Sequence, residues 1–376
     1  MNEKRIIIFC THAYPYRGGL EKNVLELASR LVSRGAKVDL CCFNSEKVAE
    51  REAVRGVNFY RLKAFKFLGG TYTLPIPFLN GKILNELAKN NYDCVITQTR
   101  FFFSTFLGYR FAKKIKKPLI HVERGTTFVK HKNPVVSLIA FLVDQTWGRF
   151  LVKKANKIVG VSRRALDFIK LMGCKDGQVI HNGIEFRNDQ YSERNNERLI
   201  IAFAGRLISG KGVLVLLDAL GQLTEDLKNK IVVRFYGFGP AKEEMIIKIK
   251  NLGLEKIIEF KGEIDSEVLR DELRKVDIFI NPSFSEGLPT SVLEAAEAGC
   301  AVIASDVGGT DEIIEHEISG LIVKSYDTEG LLMALEKLIK DKVLRNAYGH
   351  EAQRFVRENF SWQKVVEQYE KLIAGL

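Results

Sequence analysis

The chain has 376 residues, 46% hydrophobic and 27% charged, a length that favours two domains and a composition that excludes intrinsic disorder and collagen-like repeats. Its formal net charge of +11 divides unevenly, with +18 on residues 1–195 and −7 on residues 196–376. The longest apolar stretch, nine residues from Val135 to Val143 ahead of Asp144, falls short of the roughly 20 needed to cross a bilayer, so no membrane span is expected.

In chain order, a short apolar strand (Arg5 to Cys10) leads through a glycine-containing loop into a helix. There Val24, Leu27, Ala28, Leu31 and Val32 repeat at the spacing of one helical face. A second strand follows at Lys37 to Phe43, completing a βαβ unit. Apolar strands alternating with helices predict a parallel sheet covered on both faces. Further strands are expected at Cys94 to Thr97, Leu119 to Val122, Lys157 to Val161 and Gln178 to His181, with helices at Gly81 to Asn90 and Ser104 to Lys114. Residues 187–198 hold one aromatic and no aliphatic side chain, which marks a linker. The alternation then restarts. Strands are expected at Leu199 to Ala204, Ile231 to Tyr236, Ile257 to Lys261, Asp277 to Asn281 and Ala301 to Ser305. Helices fall at Val213 to Leu223, Glu243 to Leu252, Glu267 to Val276 and Thr290 to Ala298. Two doubly wound α/β domains are the natural reading, with ligands outside the carboxyl ends of the strands and in a cleft between the domains.

The N-terminal run Ile6 to Cys10 is too short for a secretory core, so the expected location is the cytoplasm. Six cysteines without CxxC spacing read as buried, reduced thiols rather than zinc ligands. Residues 100–175 hold 17 Lys and Arg against three Asp and Glu, interleaved with Phe101, Phe102, Phe103, Phe106, Tyr109 and Phe111. A local excess of this kind beside apolar residues favours attachment to an anionic membrane surface over nucleic acid.

The densest motif is Ser285-Glu286-Gly287-Leu288-Pro289-Thr290, continuing to Glu294. Pro289 suits a helix's first turn and Gly287 permits close backbone approach, so N–H groups and the helix dipole form an anion site. Two carboxylates flank it: Glu286 before the helix and Glu294 about five residues inside it. A nucleotide sugar asks for that arrangement, with diphosphate at the helix end and carboxylates toward sugar and ribose hydroxyls. Gly205-Arg206-Leu207-Ile208-Ser209-Gly210-Lys211-Gly212, after a strand, presents a guanidinium fork and a compact ammonium to an oxyanion.

These residues resemble the retaining, GT4-type glycosyltransferases, whose hallmark is a Glu, seven residues, then a Glu. The resemblance covers nearly the whole chain and is strongest from 199 to 323. It implies the GT-B fold: α/β, two doubly wound Rossmann-like domains facing across an interdomain cleft. Residues 1–190, joined by a crossing C-terminal helix at 356–376, make the acceptor-side domain. Residues 196–355 make the nucleotide-sugar-binding domain.

The resemblance also implies roles. Glu286, His121, Arg206 and Lys211 would be catalytic; Gly18, Gly19, Gly205, Gly287, Leu288 and Glu294 would bind the nucleotide sugar. His121, in Ile120-His121-Val122-Glu123-Arg124-Gly125, matches the position where the family places a histidine beside the donor sugar, and Gly18-Gly19 its N-terminal glycine loop. Asn182-Gly183-Ile184 looks like the family's hinge-side turn, a structural feature. The family's usual prolines are replaced by Asp311 after Val307-Gly308-Gly309-Thr310, and by Ala301.

No Asp-x-Asp stands where a metal site needs it, so no metal or cofactor is expected. The implied partners are a UDP- or GDP-linked sugar as co-substrate and a lipid-linked or saccharide acceptor, with no nucleic acid. The expected activity is transfer to an acceptor hydroxyl with retention, in lipid-linked glycan, polysaccharide or glycolipid assembly at the cytoplasmic face of a membrane. The alternatives are a GT-B-fold nucleotide-sugar 2-epimerase, a phosphorylase-like enzyme and a non-enzymatic basic membrane adaptor.

Overall fold

The computed structural model describes residues 4–16, 18–67, 72–76, 79–128, 134–186, 194 and 196–376. They form two compact units, Met1–Gly183 with Trp362–Leu376, and Ile184–Ser361. The divisions fall at 183/184 and 361/362, where the expected bounds were 190 and 356. Most of the expected linker lies outside the described residues. Of it, Arg194 donates to the carbonyl oxygens of Arg274, Ala298 and Gly299 at 2.9, 2.6 and 2.7 Å, which ties this segment into the second unit.

The first unit contains β1 (Arg5–Phe9), α1 (Gly19–Ser33), β2 (Lys37–Phe43), β3 (Arg51–Val54), β4 (Val57–Leu62), β5 (Ala64–Phe67) and β6 (Tyr72–Pro75). It continues with α2 (Gly81–Leu87), β7 (Cys94–Gln98), α3 (Phe103–Ile115), β8 (Leu119–Glu123), α4 (Pro134–Val143), α5 (Arg149–Lys154), β9 (Lys157–Gly160), α6 (Arg163–Leu171) and β10 (Gln178–Val179). Its sheet runs β10-β9-β8-β7-β1-β2-β4-β3, parallel except for β3, and β5-β6 form a separate hairpin. Strand order reverses between β1 and β7. Buried side chains such as Ile7, Phe9, Val95 and Phe111 join the sheet to its helices, and α1 covers β2 with the predicted stripe. Neither hairpin was expected: β3 is Arg-Glu-Ala-Val with mostly exposed side chains, so it carries no apolar alternation.

The second unit contains β11 (Leu199–Ala204), α7 (Val213–Gly221), α8 (Glu225–Asn229), β12 (Ile231–Tyr236), α9 (Lys242–Asn251), β13 (Ile258–Gly262) and α10 (Ser266–Leu273). After these come β14 (Ile278–Asn281), α11 (Thr290–Glu297), β15 (Ala301–Ser305), β16 (Gly320–Val323), α12 (Thr328–Lys340) and α13 (Lys342–Asn359). The all-parallel sheet runs β13-β12-β11-β14-β15-β16, so its order reverses between β11 and β14. In open α/β sheets that reversal opens a crevice at the carboxyl ends of the two strands.

The C-terminal helix was expected as one piece over 356–376. Instead α13 ends at Asn359, and α14 (Trp362–Ala374) belongs to the first unit. Phe360, 1% exposed, lies in the second unit and its carbonyl accepts from the Ile184 N–H at 2.9 Å. Within the first unit, α14 packs on α1: Arg30 lies 5.4 Å over the Trp362 ring and Arg34 pairs with Glu370 at 2.8 Å. A Cβ at Gly183 would meet that ring at 2.4 Å, which accounts for the glycine of the turn.

The six cysteines are free, five of them buried. Burial pushes the thiols of Cys42, Cys94 and Cys300 up to about 12, so these are inert packing groups.

One expectation needs correction. The apolar stretch at Val135 does not stop at Asp144: α4, a π turn at Asp144–Gly148 and α5 form one continuous 21-residue helix, Pro134–Lys154. By length and composition it suffices to cross a membrane, with 22% of its most apolar window buried in the protein. The charge that seemed to end the stretch is neutralised instead, because the fully buried Asp144 pairs with Arg100 at 2.9 Å.

Candidate active site

The second unit's crevice is built by the loops after β11 and β14. After β11 the chain passes Gly205 and the exposed Arg206, makes a 3-10 turn at Ser209–Lys211, and enters α7 through Gly212. Gly212 has φ +66°, and a Cβ there would come within 1.9 Å of the Pro282 carbonyl oxygen, so only glycine lets these two loops approach. The Phe284 N–H donates to the Gly210 carbonyl at 2.9 Å across the same seam. As a result Lys211 Nζ and Glu286 Oε1 stand 2.5 Å apart although 75 residues separate them. Their side chains are 25% and 13% exposed, open enough for a ligand to reach.

After Glu286 the backbone turns into α11, whose N-cap is Pro289 with no side-chain cap. Pro289 therefore stands one position earlier than its expected first-turn place. The loop after β15 supports this turn: the Gly309 N–H donates to the Gly287 carbonyl at 2.9 Å, and a Cβ at Gly308 would meet the Glu286 carbonyl oxygen at 2.5 Å. Leu288 is 5% exposed and anchors the turn in the core. Glu294 is the fifth residue of α11 and nearly buried, while Glu297, one turn on, is held by Arg274 and Arg357. The structure thus brings together Lys211, Glu286, Gly287 and the start of α11, and places Gly205 and Arg206 on the adjoining loop.

The remaining predicted residues lie on the first unit. Gly18 is the N-cap of α1, and Gly19 its first residue, after β1 at that sheet's own reversal. The Glu21 carboxylate folds back so closely that a Cβ at Gly18 would clash with it at 2.2 Å. His121 is the third residue of the five-residue β8, and its side chain is 3% exposed. Its Nδ1 lies 3.0 Å from Thr97 Oγ1 and its Nε2 3.5 Å from Glu123 Oε2.

Around His121 is a buried ionic cluster that the sequence reading missed. Arg100 NH1 lies 3.2 Å from Glu123 Oε1 and Arg100 NH2 2.9 Å from Asp144 Oδ2, all three side chains wholly buried. Glu123 also accepts from the N–H groups of Arg124 and Gly125 at 2.9 and 2.6 Å. Arg124 donates to Gln98, Asn182 and Asn23 at 3.0, 2.8 and 2.8 Å. Glu123 and Arg124 sit beside His121 in the chain, but nothing in sequence pairs either with residue 100.

Burial opposes ionisation of Glu123, yet the His121 hydrogen bond, the Arg100 charge and the Gly125 N–H outweigh it and hold the carboxyl at about 2. A carboxyl depressed below its unfolded value of 4.5 stabilises the fold above that pH and loses the contribution as pH falls toward 2. Acid titration should therefore remove about 3 kcal/mol from the first unit between pH 4.5 and 2. Glu123→Gln should flatten that limb in fluorescence-detected unfolding, and an unchanged limb would contradict the assignment.

Among the described residues, no group of three or more His, Cys, Asp and Glu side chains is placed to hold a metal ion. The second unit's loops instead set Lys211 beside Glu286 next to the start of α11.

Two Rossmann-like units, each a largely parallel sheet whose strand order reverses within it, are the architecture of the GT-B class. The model of the group 1 glycosyl transferases matches residues 185–355, and that of glycosyltransferase family 4 matches residues 17–187. An uncharacterized glycosyltransferase of Methanocaldococcus jannaschii is 33% identical, with all of both chains covered. Sucrose-phosphate synthase of Thermosynechococcus elongatus shares the fold at TM-score 0.82 and 20% identity, covering 99% of this chain and 100% of that one. Anabaena HepE, crystallised with UDP and glucose, does so at TM-score 0.78 and 17% identity, with 99% and 100% covered. The chain belongs to the group 1, family 4 glycosyltransferases.

Proposed function

We propose that the protein transfers a hexosyl group from a UDP- or GDP-linked sugar to an acceptor hydroxyl, with retention at the anomeric carbon and without a metal ion. The observation that carries this reading is the convergence of Lys211, Glu286 and the uncapped start of α11 at the second sheet's reversal. It gains support from HepE, a fold neighbour whose crystals hold UDP and glucose.

In this reading the bond from the anomeric carbon to the diphosphate oxygen breaks and a bond to the acceptor oxygen forms on the same face. Negative charge grows on the diphosphate, where Arg206, Lys211 and the Gly287–Leu288 backbone meet it. Preorganised donors of this kind are each worth about 3–4 kcal/mol in the transition state. Glu286 orients the sugar hydroxyls and Glu294 accepts from the ribose. His121 and Gly18–Gly19 take their sugar-side roles from the family resemblance alone, since within the first unit His121 is buried and held by Thr97 and Glu123. The departing phosphate oxygen takes the acceptor proton. The basic first unit suits an anionic, lipid-linked acceptor, as in glycan, polysaccharide or glycolipid assembly at the cytoplasmic membrane face.

The test is a turnover assay with UDP- and GDP-hexoses and polyprenyl-phosphate-linked and free saccharide acceptors. An α-linked product from an α-linked donor, formed only with acceptor, is expected. Sugar interconversion without acceptor would establish an epimerase instead, and an inverted product would overturn retention.

A further inference from the structure

The Pro134–Lys154 helix is held to the first unit by one end and one side. Asp144 and Gly148 in its π turn and Leu151 and Val152 in α5 are buried, whereas no residue of α4 is. The outer surface is apolar: Val135, Leu138, Ile139, Leu142, Val143, Trp147 and Phe150 are 38–62% exposed. Val135, Leu138, Ile139 and Leu142 repeat at i, i+3, i+4 and i+7, and Phe141 and Val143, 39% and 41% exposed, carry the apolar surface round α4 beyond that stripe.

The aromatic rings extend that surface onto α3. Phe103 and Phe106 lie 5.4 Å apart, Phe106 and Trp147 4.8 Å, Trp147 and Phe150 5.7 Å, and Phe150 and Tyr109 5.4 Å. Exposed cations rim it: Arg110, Lys113 and Lys114 from α3, and Lys153 and Lys154 from α5. Arg110 and Lys154 reach over the rings of Phe106 and Phe150. Of the three carboxylates among residues 100–175, Glu123 and Asp144 are buried in ion pairs with Arg100, which leaves Asp167 on the surface. An apolar stripe with a cationic rim and almost no exposed anion complements an anionic lipid surface, not a protein face of mixed charge.

We propose that this helix lies in the plane of an anionic bilayer surface, its α4 stripe and aromatic rings in the headgroup region, and does not cross the membrane. Its length would permit crossing, but the Arg100–Asp144 pair and the buried Gly148, Leu151 and Val152 clasp its second half to the Rossmann-like unit. Trp147 is placed as an interfacial tryptophan. This inference is independent of the donor-site reading.

The chain's two tryptophans make the test direct, because Trp147 is 50% exposed and Trp362 is 6% exposed. Full-length protein is mixed with neutral phosphatidylcholine vesicles or with vesicles containing 30% phosphatidylglycerol. We expect sedimentation and a blue-shifted emission with the anionic vesicles, weakening as salt rises, and complete release by alkaline carbonate. Lys153→Gln with Lys154→Gln should lower vesicle affinity ~30-fold. Leu138→Ser with Ile139→Ser should abolish the blue shift, and both double variants should keep the wild-type melting temperature. Equal binding to neutral vesicles, no binding to either, or retention after carbonate would each overturn the proposal. The last would establish a spanning helix.

Discussion

Lys211→Ala and Glu286→Gln are each expected to lower kcat/KM about 10²–10³-fold while shifting the melting temperature by less than about 2 °C. The two halves of that expectation have separate physical causes. The pair is partly open, and ion pairs of that kind contribute about 0–1 kcal/mol to folding. In transfer, by contrast, the ammonium faces charge that grows on a diphosphate oxygen as the sugar bond breaks, so its interaction is stronger in the transition state than with bound donor. Lys211→Ala should accordingly lose more in kcat than the roughly tenfold it loses in donor binding. Glu286→Gln keeps the shape but offers weaker acceptance to the sugar hydroxyls, so donor KM should rise along with the fall in kcat. Steady-state kinetics over a donor series separate the two, and wild-type turnover in both variants would remove the site.

The second large effect is on stability. Arg100→Met should destabilise the first unit by about 3–5 kcal/mol, because two buried carboxylates lose their counter-charge at once. The loss also takes the donation to the Thr127 carbonyl at 3.0 Å and the stacking over Phe168 at 4.4 Å. Adding Asp144→Leu should restore part of the stability, since one orphaned charge then disappears. Trp147 and Trp362 both belong to the first unit, so urea unfolding followed by tryptophan fluorescence reports that unit specifically. A single variant with wild-type midpoint would show that the cluster is not a structural clasp.

The division between what was legible in the chain and what was not follows from the range of the interactions. Leu199–Ala204, Ile231–Tyr236 and Ala301–Ser305 were read with the bounds they have, because buried strands announce themselves as short, mostly apolar runs, which Arg234 alone interrupts in Ile231–Tyr236. The donor-side loops were legible because glycine, proline and charge crowd into a few consecutive positions. The contact between Lys211 and Glu286 was not, since it depends on β11 and β14 being neighbours at the sheet's reversal. The same holds more strongly for Arg100, Glu123 and Asp144, which come from three different segments. That pairing also explains why Asp144 looked like the end of an apolar stretch: its cost in a helix is set by a partner 44 residues away. The break at Phe360 was hidden for a similar reason. Phe360 fits the apolar face of a continuous helix, yet its burial lies in the second unit while Trp362 packs in the first.

The division of charge gains a physical meaning from these sites. The −7 half gathers Arg206, Lys211 and Glu286 into two adjoining loops, whereas the +18 half spreads cations around an apolar helix. Net charge therefore describes the surface of the first unit rather than the Lys211–Glu286 site of the second.

Calorimetric titration of the wild-type protein and of Lys211→Ala with UDP, GDP and their hexose conjugates tests the central assignment most directly. One of the two nucleotide families should bind wild-type protein at one site per chain and bind Lys211→Ala at least tenfold more weakly. Binding of equal strength to the variant, or of neither family to the wild type, would contradict the placement of the donor at Lys211 and Glu286.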